Sequence, residues 1–198
     1  MIKANNLSKS FNGNRIFSGI NINLEKSKVL GVVGNNGSGK TTLLKIVAGI
    51  INPDTGEMNL KENIKLDFLG HENMLYQNFS ISENIDFFSN ISGFRISSEL
   101  QDEIEKALGL QNILGKKISD LSYGQRKKAS MLRSLISDPD LLILDEPFSN
   151  LDSESTDSFI SILKKLKKSG KSIIISSNRK DIVGSVSDNL LNMDDYNE

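Results

Sequence analysis

The sequence of 198 residues contains no cysteine and a single histidine. The missing cysteines exclude disulfides, thiolate metal sites and cysteine nucleophiles. One imidazole also excludes a metal site built from several histidines. Basic and acidic residues nearly balance, 24 against 25, so the composition lacks the overall positive charge typical of nucleic-acid binding, although a local basic patch is compatible with that balance. We therefore expect no nucleic-acid partner.

Long hydrophobic runs are also missing. The longest apolar runs include residues 141–144 and 173–175, which are far below the ~18 residues that a membrane span needs. Residues 1–7 lack the apolar centre of a signal peptide. We expect a cytoplasmic protein with no bilayer span of its own. If it acts at a membrane, an integral membrane partner must supply the span.

Eight consecutive residues match the phosphate-loop pattern G-x-x-x-x-G-K-[ST]. They are Gly34, Asn35, Asn36, Gly37, Ser38, Gly39, Lys40 and Thr41. Glycines let the backbone curl with its N–H groups pointing inward, which makes a concave anion-binding site. An apolar stretch at 29–33 predicts a buried strand before the loop. Residues 42–48, beginning with Thr42, predict a helix whose positive end faces the phosphates. The chain is therefore predicted to bind a nucleoside triphosphate.

Two further features predict the chemistry at those phosphates. Lys40 is expected to reach the β- and γ-phosphates, and the Thr41 hydroxyl to hold Mg²⁺. The apolar run at 141–144 ends in two adjacent carboxylates, Asp145 and Glu146. A buried strand next to the phosphate-loop strand would bring Asp145 to the metal through water and Glu146 beside the γ-phosphate. Glu146 is then the natural general base for an attacking water.

The hydrophobic pattern predicts one α/β domain over residues 1–198 with an inserted helical subdomain. The core is expected at about 1–71 and 134–198, and the helical subdomain at about 72–133. The expected fold class is therefore a P-loop NTPase core of the RecA-like type, with an antiparallel β edge and the α-helical insertion.

Finer expectations concern single elements. Periodicity and short apolar runs predict an antiparallel sheet and several buried strands. These predicted strands are residues 2–7, 20–24, 57–60, 66–69, 141–144 and 173–176. A helix is expected at Ser153–Lys168, and another behind a capping box from Ser98 to Gln101. Residues 194–198 are expected to form a frayed acidic tail.

Five residues between the two phosphate-site motifs indicate the family. Leu121, Ser122, Tyr123, Gly124 and Gln125 resemble the L-S-x-G-Q signature of ABC-type ATPases, and their spacing from both other motifs agrees with that family. At a helix start, this segment offers a hydroxyl and free backbone N–H groups to an anion. A simple N-cap serine is the alternative for Ser122 alone. The resemblance implies that Ser122, Gly124 and Gln125 reach the γ-phosphate of ATP bound by a second subunit, either a copy or a homologue.

Other roles follow only from this resemblance. Phe11 lies where the family usually has an aromatic residue that stacks on adenine, although a core phenylalanine is a competing interpretation. Residues 149–152 look like the loop that crosses the dimer interface. Arg126, Lys127 and Lys128 follow the signature and are expected on the exposed helix face.

Two positions depart from the family pattern. His71, placed by its spacing from Glu83, stands where a glutamine normally links Mg²⁺ and the attacking water to the membrane partner. Asn178 stands in the place of the switch histidine. An asparagine amide can donate a hydrogen bond to a γ-phosphate oxygen, but it cannot become cationic. We therefore expect slower hydrolysis than in relatives that carry histidine there.

His71, the short chain and the segment 145–148 resemble the haem-exporter ATP-binding subunit of the cytochrome c maturation system, whereas Asn178 is unlike that subfamily. This resemblance implies an ATPase bound to a membrane permease on the cytoplasmic face of the inner membrane. Alternatives are an exporter subunit for drugs, peptides or lipids, a soluble non-transport ABC ATPase, a GTPase whose guanine motif is residues 178–181, and a regulatory module that binds ATP without turnover.

Overall fold

The computed structural model describes residues 1–70, 74–94 and 96–197. Strands and helices alternate through these ranges, with a helical stretch between the fifth and sixth strands. In chain order they are β1 (Ile2–Phe11), β2 (Asn14–Leu24), β3 (Val29–Val33), α1 (Lys40–Val47), β4 (Thr55–Leu60), β5 (Leu66–Leu69), α2 (Ile81–Ser92), α3 (Ser98–Ala107), α4 (Tyr123–Ile136), β6 (Leu141–Asp145), α5 (Ser153–Lys168), β7 (Ser172–Ser177), α6 (Lys180–Gly184) and β8 (Asn189–Asn192). Short 3₁₀ turns lie at Gln111–Ile113, Ile118–Asp120 and Met193–Tyr196.

The predicted antiparallel edge is confirmed as a three-stranded sheet in the order β2-β1-β4. In β2, Ile20, Ile22 and Leu24 are buried, whereas the asparagines between them are exposed. This period of two is what a sheet with one covered face requires. The sheet places the β1–β2 hairpin beside the phosphate loop, because Phe17 and Ile16 on β2 lie close to Gly39.

The second sheet is parallel and has the order β5-β6-β7-β3-β8. Every residue of β3, β6 and β7 is buried, as expected for central strands covered on both faces. The prediction that the strand carrying Asp145 neighbours the phosphate-loop strand is wrong, because β7 pairs with both β6 and β3 and separates them. Both runs are equally apolar, so their pattern could not reveal which one adjoins β3.

Between β5 and β6 the described chain is mainly helical, and each long helix begins with a serine cap. Ser80 and Ser122 form capping boxes at α2 and α4. The helix α3 is capped by Ser97, whose hydroxyl accepts from the backbone N–H of Leu100 at 3.3 Å. The predicted cap at Ser98 is therefore one residue late, since only Ser97 has the extended backbone that a cap requires. The predicted bounds of α5 are confirmed.

The expectation of a frayed acidic tail is wrong for residues 194–197. Met193 is fully buried and begins a 3₁₀ turn. The Asp194 carboxylate accepts a hydrogen bond from the backbone N–H of Asn35 at 3.0 Å and from its side-chain amide at 3.1 Å. An acidic composition predicted solvation, whereas the apolar anchor and these phosphate-loop donors hold the segment against the core. Glu198 lies outside the described residues.

Among the described residues, no helix combines the length and apolar character needed to cross a bilayer.

Gly31 in β3 tests how tightly the core supports the phosphate-loop strand. A Cβ there would lie 2.3 Å from Val183 Cγ1 and 2.6 Å from both Leu190 Cδ2 and Ser187 Oγ. We expect Gly31→Ala to lower the free energy of unfolding by about 1–3 kcal/mol, the usual cost of overpacking. Chemical denaturation measures this loss.

Gly184→Ala is the matched control, because a Cβ built there would meet no described atom within 4 Å beyond its chain neighbours and the backbone of its own helix. Alanine also suits the helix α6 better than glycine. Equal stability of the two variants would contradict the predicted clash.

Candidate active site

The side chain of Asp145 connects three elements at the carboxyl edge of the parallel sheet. It is fully buried at the end of β6. The Thr41 hydroxyl, in the first turn of α1, donates to Asp145 Oδ2 at 2.8 Å. The Ser176 hydroxyl, near the end of β7, donates to Asp145 Oδ1 at 2.6 Å. Because the carboxyl ends of parallel strands share one edge, these residues converge from distant parts of the sequence.

The phosphate loop curls between β3 and α1. Gly39 has φ +88°, and a Cβ there would lie 2.7 Å from Ile16 Cγ2, so both the backbone conformation and the close approach require glycine. Lys40 is almost fully buried, and its ammonium donates to the carbonyl oxygens of Gly34 and Asn35, each at 2.9 Å. These bonds hold the ammonium against the loop.

An open pocket lies over this loop. Its lining combines the loop, the β1–β2 hairpin and one carboxylate, contributed by Ile16, Asn36, Gly37, Gly39, Lys40, Thr41, Thr42 and Glu146. Gly34, Asn35 and Ser38 complete the loop behind it, and Ser38 is buried. The pocket thus joins backbone N–H groups at a helix N-terminus to a cationic side chain, which is a combination suited to phosphate.

Glu146 reaches the pocket through an unusual backbone conformation. Its φ is +47°, in the left-handed region that a non-glycine residue adopts at a cost of about 1–2 kcal/mol. Its backbone N–H donates to the carbonyl and hydroxyl oxygens of Ser176, at 3.1 and 3.0 Å. Its carboxylate lies 3.6 Å from the Lys40 ammonium. Ser176 therefore positions both carboxylate residues, a role that the sequence analysis missed although β7 ends at the same edge.

Asn178, two residues beyond Ser176, also lies at this edge. Its side-chain amide donates to Asn36 Oδ1 in the phosphate loop at 3.4 Å. The described structure thus brings together Thr41, Asp145, Glu146, Lys40 and Asn178. His71 lies outside the described residues.

The signature residues lie elsewhere. The Ser122 hydroxyl accepts from the backbone N–H of Gln125 at 3.2 Å, and Gln125 Oε1 accepts from the backbone N–H of Ser122 at 3.0 Å. Ser122 therefore caps α4, and its contact with the ATP of a second subunit stays a prediction. Ser122 is exposed, Gly124 and Gln125 are partly exposed, and none of the three is among the described residues that line the phosphate pocket.

Phe11 ends β1 with 46% of its surface exposed, so the core interpretation is wrong. The Lys9 ammonium lies 5.3 Å from the centre of its ring, a cation–π contact. Phe11 does not line the phosphate pocket, whereas Ile16 on the adjoining strand does.

The three basic residues after the signature do not share an exposed face. Arg126 and Lys128 are partly exposed, but Lys127 is fully buried. Burial lowers the pKa of Lys127, while the carboxylates of Asp145 and Glu146 act in the opposite direction. The expectation of an exposed Lys127 is therefore wrong. Its position on α4 turns it towards the core, and a run of three basic residues contains no local signal for that direction.

Asp152 ends the segment predicted to cross a dimer interface and caps α5. Hydrogen bonds from the backbone N–H and hydroxyl of Ser155 lower the pKa of Asp152 to about 2. The Lys128 ammonium lies 3.6 Å from this carboxylate. The capping carboxylate thus ties α5 to the signature helix α4.

The pair Thr41–Asp145 fits a magnesium ion. Mg²⁺ prefers oxygen ligands and binds through one or two side chains together with substrate phosphates. The hydroxyl and carboxylate oxygens of this pair lie 2.8 Å apart at the mouth of the phosphate loop. These two residues would hold the ion.

A glycine loop between a buried strand and a helix, with a carboxylate pair at the same sheet edge, defines a P-loop nucleotide-binding protein. The sequence profile of the ABC transporter family matches residues 17–149. The chain belongs to the ABC transporter family. It is the ATP-binding subunit of an ABC transporter and contains an ABC ATPase domain.

Relatives and solved structures agree with this assignment. The chain is 34% identical over 193 residues to an uncharacterized ABC transporter ATP-binding protein of Methanocaldococcus jannaschii, covering 96% of this chain and 72% of the relative. It is 35% identical over 185 residues to a zinc import ATP-binding protein of Wolbachia pipientis wMel, covering 89% and 73%. A dimeric ATP-binding cassette bound to ADP and phosphate superposes with a TM-score of 0.83 at 22% identity, covering 97% and 94%. The last similarity confirms the predicted fold class.

Asp194 offers a test of how the phosphate loop is held. Its carboxylate accepts from the backbone N–H of Asn35 at 3.0 Å, so Asp194→Ala should loosen the start of the loop. We expect ATP to bind about fivefold more weakly, the effect of one net hydrogen bond of about 1 kcal/mol. Calorimetric titration with a non-hydrolysable ATP analogue measures the change.

Asp195→Ala removes the same charge and is the control, because Asp195 accepts instead from the Asn192 side chain at 2.8 Å. If both variants bind the analogue equally well, the Asp194 contact does not support the loop.

Proposed function

We propose that this subunit hydrolyses ATP with Glu146 as general base and that it powers a membrane permease as one half of a dimer. The observation that carries the proposal is the convergence of Thr41 and Asp145 at 2.8 Å, which sets the adjacent Glu146 carboxylate beside the phosphate pocket. The choice of ATP as the substrate is supported by the phosphate loop and by membership of the ABC transporter family.

The proposed reaction follows from the side chains around the pocket. Glu146 accepts a proton from the water that attacks the γ-phosphorus, and the bond from that phosphorus to the β–γ bridging oxygen breaks to release ADP. The Lys40 ammonium, 3.6 Å from Glu146, stabilises the charge on the phosphate oxygens. Thr41 and Asp145 would hold Mg²⁺, which would supply further neutralisation of the phosphate charge. Asn178 donates a neutral hydrogen bond to a γ-phosphate oxygen.

The signature supports a site shared between two subunits. Ser122 lies exposed at the N-terminus of α4, whose first N–H groups can bind an anion. We propose that Ser122, Gly124 and Gln125 complete the ATP site of a second copy or of a homologous subunit. Phe11, exposed at 46% on the β1–β2 hairpin, is proposed to stack on the adenine.

A second exposed surface suits the permease. In the proposed helical subdomain, Tyr76 and Phe79 are 48% and 38% exposed. Both rings pack with that of Phe87, and the Tyr76 and Phe87 centres lie 4.7 Å apart. Tyr76 also packs with Phe88. An aromatic surface of this kind marks an interaction site. We propose that these four residues contact the permease at the cytoplasmic face of the inner membrane.

The substrate that the transporter carries is a separate part of the proposal. The haem-export hypothesis rests on His71, the short chain and the segment 145–148. His71 lies outside the described residues, and neither relative described above is named as a haem exporter. Haem is therefore one candidate cargo, together with drugs, peptides and lipids. Zinc import is part of the name of one relative and is not assigned to this chain. Copurification with a polytopic membrane protein would separate all of these from a soluble non-transport ATPase.

Glu146→Gln tests the proposed base. The amide cannot accept a proton from water, so we expect ATP turnover to fall about 100-fold or more. Binding of ATP should persist, because Lys40 and the phosphate loop are unchanged. Phosphate release and nucleotide titration measure the two properties separately.

Glu154→Gln, which makes the same change in the first turn of α5 at an exposed position, is the control and should hydrolyse ATP normally. Wild-type turnover by Glu146→Gln would refute the role of Glu146.

A further inference from the structure

The side chain of Asn197 contacts two walls of the nucleotide pocket that are distant from each other in sequence. Its amide faces three backbone carbonyl oxygens, those of Ile16, Met193 and Ser38. Because an amide oxygen turned towards them would meet acceptors only, the nitrogen points inward and donates. Its distance is 2.9 Å to the oxygen of Ile16 and 3.2 Å to each of the other two. One amide thus connects β2 with the phosphate loop.

Ile16 marks an irregular point in the β1–β2 hairpin. Its neighbours Arg15 and Phe17 pair with the adjacent residues Ser10 and Lys9, so the described register leaves Ile16 without a partner on β1. A bulge of this kind re-aims a side chain and is over-represented next to active sites. Here the re-aimed side chain lines the phosphate pocket. The amide described above supplies a donor to the backbone of this bulged residue.

The segment that carries Asn197 is anchored on the phosphate loop. Met193 is fully buried, and its Cε would lie 3.5 Å from a Cβ built on Gly39. The Asp194 carboxylate accepts from the backbone N–H of Asn35 at 3.0 Å. Residues 193–197 therefore have a fixed base on the loop, from which the Asn197 amide reaches the hairpin.

The phosphate loop has other supports of its own. The Lys40 ammonium donates to two loop carbonyl oxygens, each at 2.9 Å. Within the loop, the backbone N–H of Ser38 donates to the carbonyl oxygen of Asn35 at 3.2 Å. Loss of the Asn197 amide should therefore release the hairpin at Ile16 and leave the loop in place.

We propose that Asn197 is a positioning residue that holds the β1–β2 hairpin at a fixed distance from the phosphate loop. ATP would span both walls, because its phosphates lie on the loop and its adenine is proposed to stack on Phe11 at the end of β1. The inference rests on that proposed role of Phe11. A hairpin that is fixed before ATP arrives reduces the entropy lost on binding.

The test compares a non-hydrolysable ATP analogue with inorganic tripolyphosphate, which has the same phosphate chain but no base. The variant is Asn197→Ala, and its replacement leaves no cavity because Asn197 is exposed. With Mg²⁺ present, we expect the analogue to bind about fivefold more weakly, the effect of one net hydrogen bond. Tripolyphosphate should bind as it does to the wild type, because it contacts the phosphate loop alone. Calorimetric titration measures both affinities.

The control is Asn192→Ala, which makes the same change just before the segment. The Asn192 amide donates to Asp195 at 2.8 Å. This variant should bind both ligands with wild-type affinity. The difference between the two ligands separates positioning of the hairpin from a general loss of stability, which would weaken the binding of both.

Two outcomes overturn the inference. One is an unchanged affinity of Asn197→Ala for the ATP analogue, and the other is an equal loss for both ligands. Phe11→Ala in the same titration separates this failure from that of the proposed function. If Phe11→Ala binds the analogue normally, the adenine proposal fails. If Phe11→Ala binds it weakly while Asn197→Ala binds it normally, only the role of Asn197 fails.

Discussion

The buried carboxylate of Asp145 is the contact on which the active-site geometry depends. It accepts a hydrogen bond from a hydroxyl of α1 at 2.8 Å and another from a hydroxyl of β7 at 2.6 Å. Three segments that are distant in sequence are thereby fixed at one sheet edge. Glu146 follows directly in the chain, and its backbone N–H donates a hydrogen bond to the Ser176 hydroxyl. The pocket can present a carboxylate beside a phosphate loop because this arrangement holds both in place.

The same edge concentrates features that the fold alone would not favour. Asp145 has no exposed surface, and Glu146 adopts a left-handed backbone. Each costs stability. Such costs gather where function requires them, while the rest of the chain follows local rules of capping and periodicity. The tightly packed β3 around Gly31 supplies the rigid support.

Local signals predicted much of this structure. The phosphate loop, the adjacent carboxylates and the bounds of α5 each depend on residues close together in sequence. The insertion of β7 between β6 and β3 could not be predicted, because strand order is a long-range property of equally apolar runs. Lys127 was misplaced because the helix face that is buried depends on tertiary packing. Residues 194–197 were wrongly predicted to be frayed, because the prediction relied on their acidic composition and did not consider the apolar anchor at Met193.

In the proposed dimer, each chain holds the phosphate half of one ATP site and the signature half of the other. The chain lacks cysteine, so Asn36→Cys and Ser122→Cys can be combined and joined with a short thiol-reactive cross-linker without interference. Denaturing gel analysis with and without Mg²⁺-ATP is the most direct measurement. The account predicts a covalent dimer that forms much faster with the nucleotide. Cross-linking confined to single chains, or a rate that ATP leaves unchanged, would contradict it.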